Sequence, residues 1–94
     1  MEYRIYQIKK DKLRDKGFIS YEELVRDFGF PREEDYDLVY SFDFEDELTL
    51  DQIYEVFNLH RPEDFQGHSL SVSDVIYNGR YWYVDSFGFE EFYW

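Results

Sequence analysis

Hydrophobic positions along the 94-residue chain change period several times, and each change marks an expected element. Tyr3-Arg4-Ile5-Tyr6-Gln7-Ile8 is β-branched and aromatic with polar interruptions, which predicts a first strand. The lysine-rich segment Lys9 to Lys16 reads as a solvated connection. Ser20 then opens a helix: Glu23 completes a capping box, Tyr21, Leu24, Val25 and Phe28 recur at helical spacing, and Gly29 and Pro31 end it. From Tyr36 the period becomes two. Tyr36, Leu38, Tyr40, Phe42 and Phe44 are expected on one buried face, and Asp37, Val39, Ser41, Asp43 and Glu45 on a wet, acidic one. Thr49 caps a second helix, with Gln52 in the capping-box position, Leu50, Ile53, Tyr54 and Phe57 as its apolar stripe, and Asn58 as its C-terminal cap.

After a proline-containing connection, His60 to Gly67, two apolar runs flank Asn78-Gly79, a strong hairpin signal. A two-residue turn there pairs Tyr77 with Arg80, Ile76 with Tyr81, Val75 with Trp82 and Asp74 with Tyr83. Both faces of this hairpin are then apolar, so it belongs in the middle of the sheet or under cover on both sides. Ser86 to Trp94 forms a final aromatic strand or tail. The order β-α-β-α-β-β describes an α+β fold: a mostly antiparallel sheet with two helices and a C-terminal Asn-Gly hairpin, in a single domain over residues 1–94.

Composition says how such a fold is filled. An 11.7 kDa chain buries roughly 65% of its extended-chain surface, enough for one modest core. There is no cysteine to reinforce it, and 22 residues (10 Tyr, 10 Phe, 2 Trp) supply much of the apolar area. MEYRIYQIKK alternates polar and apolar residues without the apolar run of a signal peptide, and no stretch approaches the ~18 residues of a membrane span. The expected compartment is cytoplasmic.

Charge is the strongest global signal, with a net −12 that is unevenly spread. Met1 to Lys16 carries six bases and three acids, whereas Glu33 to Glu47 contains eight acids (Glu33, Glu34, Asp35, Asp37, Asp43, Glu45, Asp46 and Glu47) and no base. Such a surface repels nucleic acid and anionic membranes and attracts basic protein surfaces. High charge of this kind also serves solubility alone.

The stretch Gly67 to Ile76, GHSLSVSDVI, concentrates candidate chemistry. Gly67-His68-Ser69-Leu70-Ser71 misses the G-x-S-x-G nucleophile turn at its last position, and a strand rather than a helix is expected after it. In the expected register Asp74 and Asp85 share one face, at a diagonal spacing of roughly 7–8 Å, where two carboxylates with His68 could work as acid and base. The competing reading makes them hydrogen-bond acceptors for neighbouring amides and hydroxyls, with Ser69, Ser71, Ser73, Ser86 and His68 as local donors. Asp43, Glu45 and Glu47 imitate the first ligands of a calcium loop, but Leu48 stands where glycine is needed and Tyr54 where the bidentate glutamate belongs. His60 and His68 have no zinc spacing. No catalytic residue, metal or cofactor is expected.

Arg61 to Ile76 (RPEDFQGHSLSVSDVI) followed by Tyr81 to Phe89 (YWYVDSFGF) resembles the signature of the YodL-like family, small domains of Firmicutes and their conjugative elements, plasmids and phages. The resemblance implies a mobile-element setting and a binding role, and it makes Gly67, His68, Ser69, Ser71, Ser73, Asp74, Asp85, Ser86 and Gly88 structural signature residues. The expected function is therefore that of a small acidic inhibitor or protein-binding domain, not an enzyme. Its partner would be the basic surface of a host protein, in the sharpest form a CRISPR or restriction nuclease whose DNA channel it fills by mimicry. A regulatory module of a mobile-element system and a small hydrolase using Asp74, Asp85 and His68 are the alternatives.

Overall fold

The structure is a computed structural model that describes residues Met1–Trp94. Five strands form one antiparallel sheet: β1 (Glu2–Ile8), β2 (Tyr36–Asp43), β3 (Val75–Tyr77), β4 (Tyr81–Val84) and β5 (Phe89–Phe92), in the spatial order β2-β1-β3-β4-β5. Three helices accompany it: α1 (Leu13–Lys16), α2 (Tyr21–Phe28) and α3 (Leu50–Leu59). The expected α+β class stands; the Ser86 to Trp94 segment takes the strand form of its two expected alternatives as β5, and a third, short helix is added. The Lys9 to Lys16 connection is folded rather than extended, as a 3-10 turn (Lys10–Lys12) running into α1. No helix is long and apolar enough to cross a membrane.

Alternation along the inner strands sends successive side chains into two separate cores, where composition suggested one. Ile5, Ile76 and Val84 pack with Tyr3, Phe65 and Leu70 beneath Ile53 and Phe57 of α3. Their chain neighbours Tyr6, Val75 and Tyr83 face the other way, with Ile8, Tyr36 and Phe92, beneath Leu24 of α2. This is why both faces of the C-terminal hairpin are apolar. Helices α2 and α3 start at their capping residues: Ser20 Oγ accepts from Glu23 N at 3.1 Å without the return bond from Glu23 that a capping box needs, and Thr49 and Gln52 form a reciprocal capping box at 3.1 and 2.8 Å. Helix α3 runs past Asn58 and is capped by His60 instead, whose N–H reaches Val56 O at 2.9 Å.

Strand β2 departs from the expected alternation. Tyr40 pairs with Ile5 but Leu38 pairs with Tyr6, so Val39 is an extra residue, a β-bulge. One inserted residue reverses the facing of everything beyond it. Tyr40 and Phe42 join the α3 core, whereas Tyr36 joins the α2 core and Leu38, also turned to that side, stays 52% exposed at the sheet edge. Phe44 lies past the strand and is 45% exposed. The single buried row from Tyr36 to Phe44 is thus split in two.

The hairpin register is also shifted by one. Tyr77 pairs with Tyr81, Ile76 with Trp82 and Val75 with Tyr83, leaving Asn78-Gly79-Arg80 as a three-residue connection. Gly79 sits at φ 104°, and Asn78 Oδ1 accepts from Arg80 N and, at 3.0 Å, from Trp82 Nε1. The indole bond and the Tyr77–Tyr81 ring contact, 4.8 Å between centroids, favour this register over the two-residue turn.

The C-terminal aromatics divide between core and solvent. Phe92 is buried, and Trp94 packs against Tyr6, Tyr81 and Phe92 at centroid distances of 5.1–5.2 Å and donates from Nε1 to Pro31 O at 2.9 Å. Phe87 and Tyr93 are exposed. Trp94→Ala should therefore destabilise the fold by about 2 kcal/mol or more, while Tyr93→Ala should change it by less than ~0.5 kcal/mol, as read by chemical denaturation.

Candidate functional site

The signature stretch is held by a residue far from it in sequence. Gln7, on the innermost long strand β1, is buried, and its carboxamide is aimed at the segment Gly67 to Asp74. Its Oε1 accepts from His68 N at 3.1 Å, and its Nε2 donates to His68 O at 2.8 Å and to Asp74 Oδ2 at 3.1 Å. These two bonds use both Nε2 hydrogens, so the 3.2 Å approach of His68 Nδ1 is a contact without a proton in it. Nδ1 donates instead to Ser69 O at 2.7 Å, which places a proton on Nδ1. Gly67 makes this possible: a Cβ there would collide with the Gln7 carboxamide oxygen and the Phe65 ring.

Asp74 closes the network and is fully buried. Ser71 N donates to its Oδ2 at 3.0 Å, and Asp74 N donates back to Ser71 O at 3.1 Å. Beside it, Ser73 takes φ 88°, a strained conformation for a non-glycine residue, with its N–H on Val84 O and its carbonyl accepting from Tyr36 Oη at 2.8 Å. The serine hydroxyls, expected as donors here, make none of these bonds. Ser71 Oγ and Ser73 Oγ have no partner, nor does Asp74 Oδ1, and Ser69 and Ser86 are exposed. Burial pushes the Asp74 carboxyl up to about 7, opposed by the Ser71 amide, the charge of His68 and the Gln7 bond.

Asp85 has different work. Its Oδ1 accepts from Tyr21 N at 3.0 Å, capping the first turn of α2, and from Ser86 N at 2.8 Å, while Gly88 at φ 82° turns the chain into β5. Because the hairpin register is shifted by one, Asp74 lies opposite Val84, whose N–H reaches Asp74 O at 2.8 Å, and no group bridges the two carboxylates. The acid–base pair imagined for a hydrolase is not assembled: Asp74 is enclosed, and His68 points its Nδ1 at a backbone carbonyl. No group of three or more His, Cys, Asp or Glu residues is placed to hold a metal ion.

The acids from Glu33 to Glu47 behave less uniformly than their sequence suggested. Asp35 is buried and bonded to Lys16 Nζ at 2.7 Å, so it leaves the candidate binding set and ties α1 to the turn before β2. The other seven are exposed, and of these only Glu34 has an ion-pair partner, Arg32 at 3.9 Å. The Val39 bulge separates Asp37, beside Gln7 and turned away from Tyr36 and Leu38, from Asp43, beside Glu2 and turned away from Phe42. These two carboxylates are therefore on opposite faces of the sheet.

Glu45, Asp46 and Glu47 remain together in the loop after β2, bracketed by Phe44 and Leu48. Tyr3 fixes this loop: its Oη accepts from Leu48 N at 2.8 Å and donates to Asp46 O at 3.3 Å, while Phe44 N donates to Met1 O at 3.1 Å. Phe44 and Leu48 then line a groove with Tyr40 and Phe42 of β2 and Val56 and Phe57 of α3, about 250 Å³ in volume and almost wholly apolar. Sequence reading missed both Gln7, a single polar residue inside a strand pattern, and the groove. The available signal for the groove was a pair of large apolar residues bracketing three acids in a loop.

A family model of the YodL-like domain matches residues 2–94, and the chain belongs to that family. No curated protein and no solved structure matches it.

The buried carboxyl gives a pH test. With its folded value near 7 and its ordinary value at 3.8, Asp74 holds more protons folded than unfolded between those limits, so its contribution is fully present below about pH 4 and is lost as pH rises through 7. The full difference corresponds to roughly 4 kcal/mol as an upper bound. Asp74→Asn should lose little at pH 4–5 and become more stable than the parent by pH 8, when the two stability-against-pH curves are compared by urea denaturation. Parallel curves would contradict this.

Proposed function

We propose that this YodL-like domain is an acidic protein-binding domain, acting as an inhibitor or regulator by occupying a basic surface of its partner. The observation that carries the reading is the set of six exposed carboxylates (Glu33, Asp37, Asp43, Glu45, Asp46 and Glu47) that have no ion-pair partner within the chain. Unpaired surface carboxylates on a chain of net charge −12 repel one another, and a basic surface relieves that repulsion while steering fast association. By contrast, the His68 backbone and Asp74 Oδ2 of the signature stretch are bonded internally by Gln7, which supports a structural reading of it.

A nuclease channel is one such basic surface. Mimicry of a nucleic-acid strand requires a continuous row of charges, however, with one phosphate per ~3.4 Å of axis. Alternate strand residues are spaced at about 6.7 Å, and the Val39 bulge sends Asp37 and Asp43 to opposite faces. The geometry favours a discrete basic protein surface met by the Asp43–Glu47 side of the molecule.

Capture from a bacterial lysate on the immobilised domain tests this reading. A specific protein should be retained at low ionic strength, released at roughly 1 M salt, where the screening length falls to about 3 Å, and not retained by a variant carrying Asp43→Lys, Glu45→Lys and Glu47→Lys. Retention that survives both high salt and charge reversal would contradict it.

A further inference from the structure

Resting on that reading, we infer that the groove between β2, α3 and the Phe44–Leu48 loop takes a single large apolar side chain from a segment of the partner in which lysines or arginines flank that residue. At about 250 Å³ the groove lies below the ~300–1,000 Å³ range of small-molecule sites and suits one inserted side chain. It offers no charged or hydrogen-bonding group from its walls, because its lining is aromatic and aliphatic apart from the Tyr40 hydroxyl, which is already bonded to Asp64 Oδ1 at 2.8 Å. What enters must therefore be apolar.

The rim decides what flanks it. Glu45, Asp46 and Glu47 lie between Phe44 and Leu48, and Glu63 and Asp64 follow the lining residue Pro62, whereas Asp43 is turned to the other face of the sheet. Against these five rim carboxylates stand Arg61 and the Met1 ammonium, and the latter is bonded to Phe44 O at 2.9 Å. A segment with acids beside its anchor would meet repulsion from most of the rim, whereas one with bases would not. Tyr3 holds the loop backbone through Leu48 and Asp46, so the groove is formed before binding and little ordering cost falls on this side. The free edge of β2, an outer strand of the sheet, runs along the same side and leaves backbone groups open to an extended segment.

A random dodecapeptide library displayed on phage, selected in parallel on the intact domain, on Phe44→Ser and on the pair Glu45→Lys with Glu47→Lys, tests the inference. Phe44 is half-exposed and lies outside the strand, so its loss leaves the fold in place, as a melting curve will verify. The parent should enrich peptides in which Leu, Ile, Met, Phe or Trp is flanked by Lys or Arg, and the best of them, synthesised, should bind each variant about tenfold more weakly or worse. Enrichment of basic peptides that lack an apolar anchor, with affinity untouched by Phe44→Ser, would overturn the inference and leave the basic-surface reading standing. Enrichment of apolar peptides without bases, bound equally by the charge-reversed pair, would overturn both. No enrichment at all would overturn the inference alone, since the lysate capture judges the broader reading separately.

Discussion

A single extra residue in β2 governs how this small protein is filled and what it shows to its surroundings. Side chains alternate along a strand with a period of two, so inserting Val39 between the Ile5–Tyr40 and Tyr6–Leu38 pairs turns the strand over midway. Its C-terminal half supplies Tyr40 and Phe42 to the core under α3, and its N-terminal half supplies Tyr36 to the core under α2. A regular strand of the same sequence would crowd Tyr36, Leu38, Tyr40 and Phe42 onto one face and leave the other core short of an aromatic ring. The same reversal divides Asp37 from Asp43, while Glu45, Asp46 and Glu47 stay together in the loop beyond the strand, beside the apolar groove that Tyr40 and Phe42 help to build.

The second constraint is the buried carboxamide of Gln7. A segment as polar as Gly67 to Asp74 is costly to lay against a core unless its backbone groups find partners. Gln7 answers both the N–H and the carbonyl of His68 and also reaches Asp74, so one side chain on the central part of the sheet organises the entry into β3. Gly67 is required by the closeness of that approach, and Asp74 by the turn it makes with Ser71. Residues that invite a catalytic reading, a histidine among serines near an aspartate, are in this fold the means by which an irregular segment is made compatible with burial.

Much of this was legible in the sequence where the signal is local. The capping residues Ser20 and Thr49 act through amides three positions away, and both helices begin where those residues place them. The two-sided burial of the hairpin followed from its continuous apolar runs. What failed was register. Asn78-Gly79 indicates a turn without fixing its length, and Trp82 Nε1 bonding to Asn78 Oδ1 chooses the three-residue form through a contact that periodicity cannot display. The bulge at Val39 is similarly silent, because the even-spaced aromatics look regular and only pairing with Ile5 and Tyr6 reveals the step. Those two offsets, each of one residue, separate Asp74 from Asp85 and Asp37 from Asp43. Gln7 and Lys16 went unnoticed as site-forming groups because their partners, Asp74 and Asp35, lie 67 and 19 positions away.

The proposed binding surface is the Phe44–Leu48 side of the molecule, whereas the serine-rich signature is bonded into the interior scaffold. Site-specific photo-crosslinking separates these two surfaces most directly, with a benzoylphenylalanine side chain carried in place of Phe44 or in place of Ser69, both exposed. The domain bearing it at Phe44 should form a discrete covalent adduct with a partner in a bacterial lysate, and the domain bearing it at Ser69 should form none. An adduct from Ser69 with none from Phe44 would move the binding surface to the signature stretch and contradict the account.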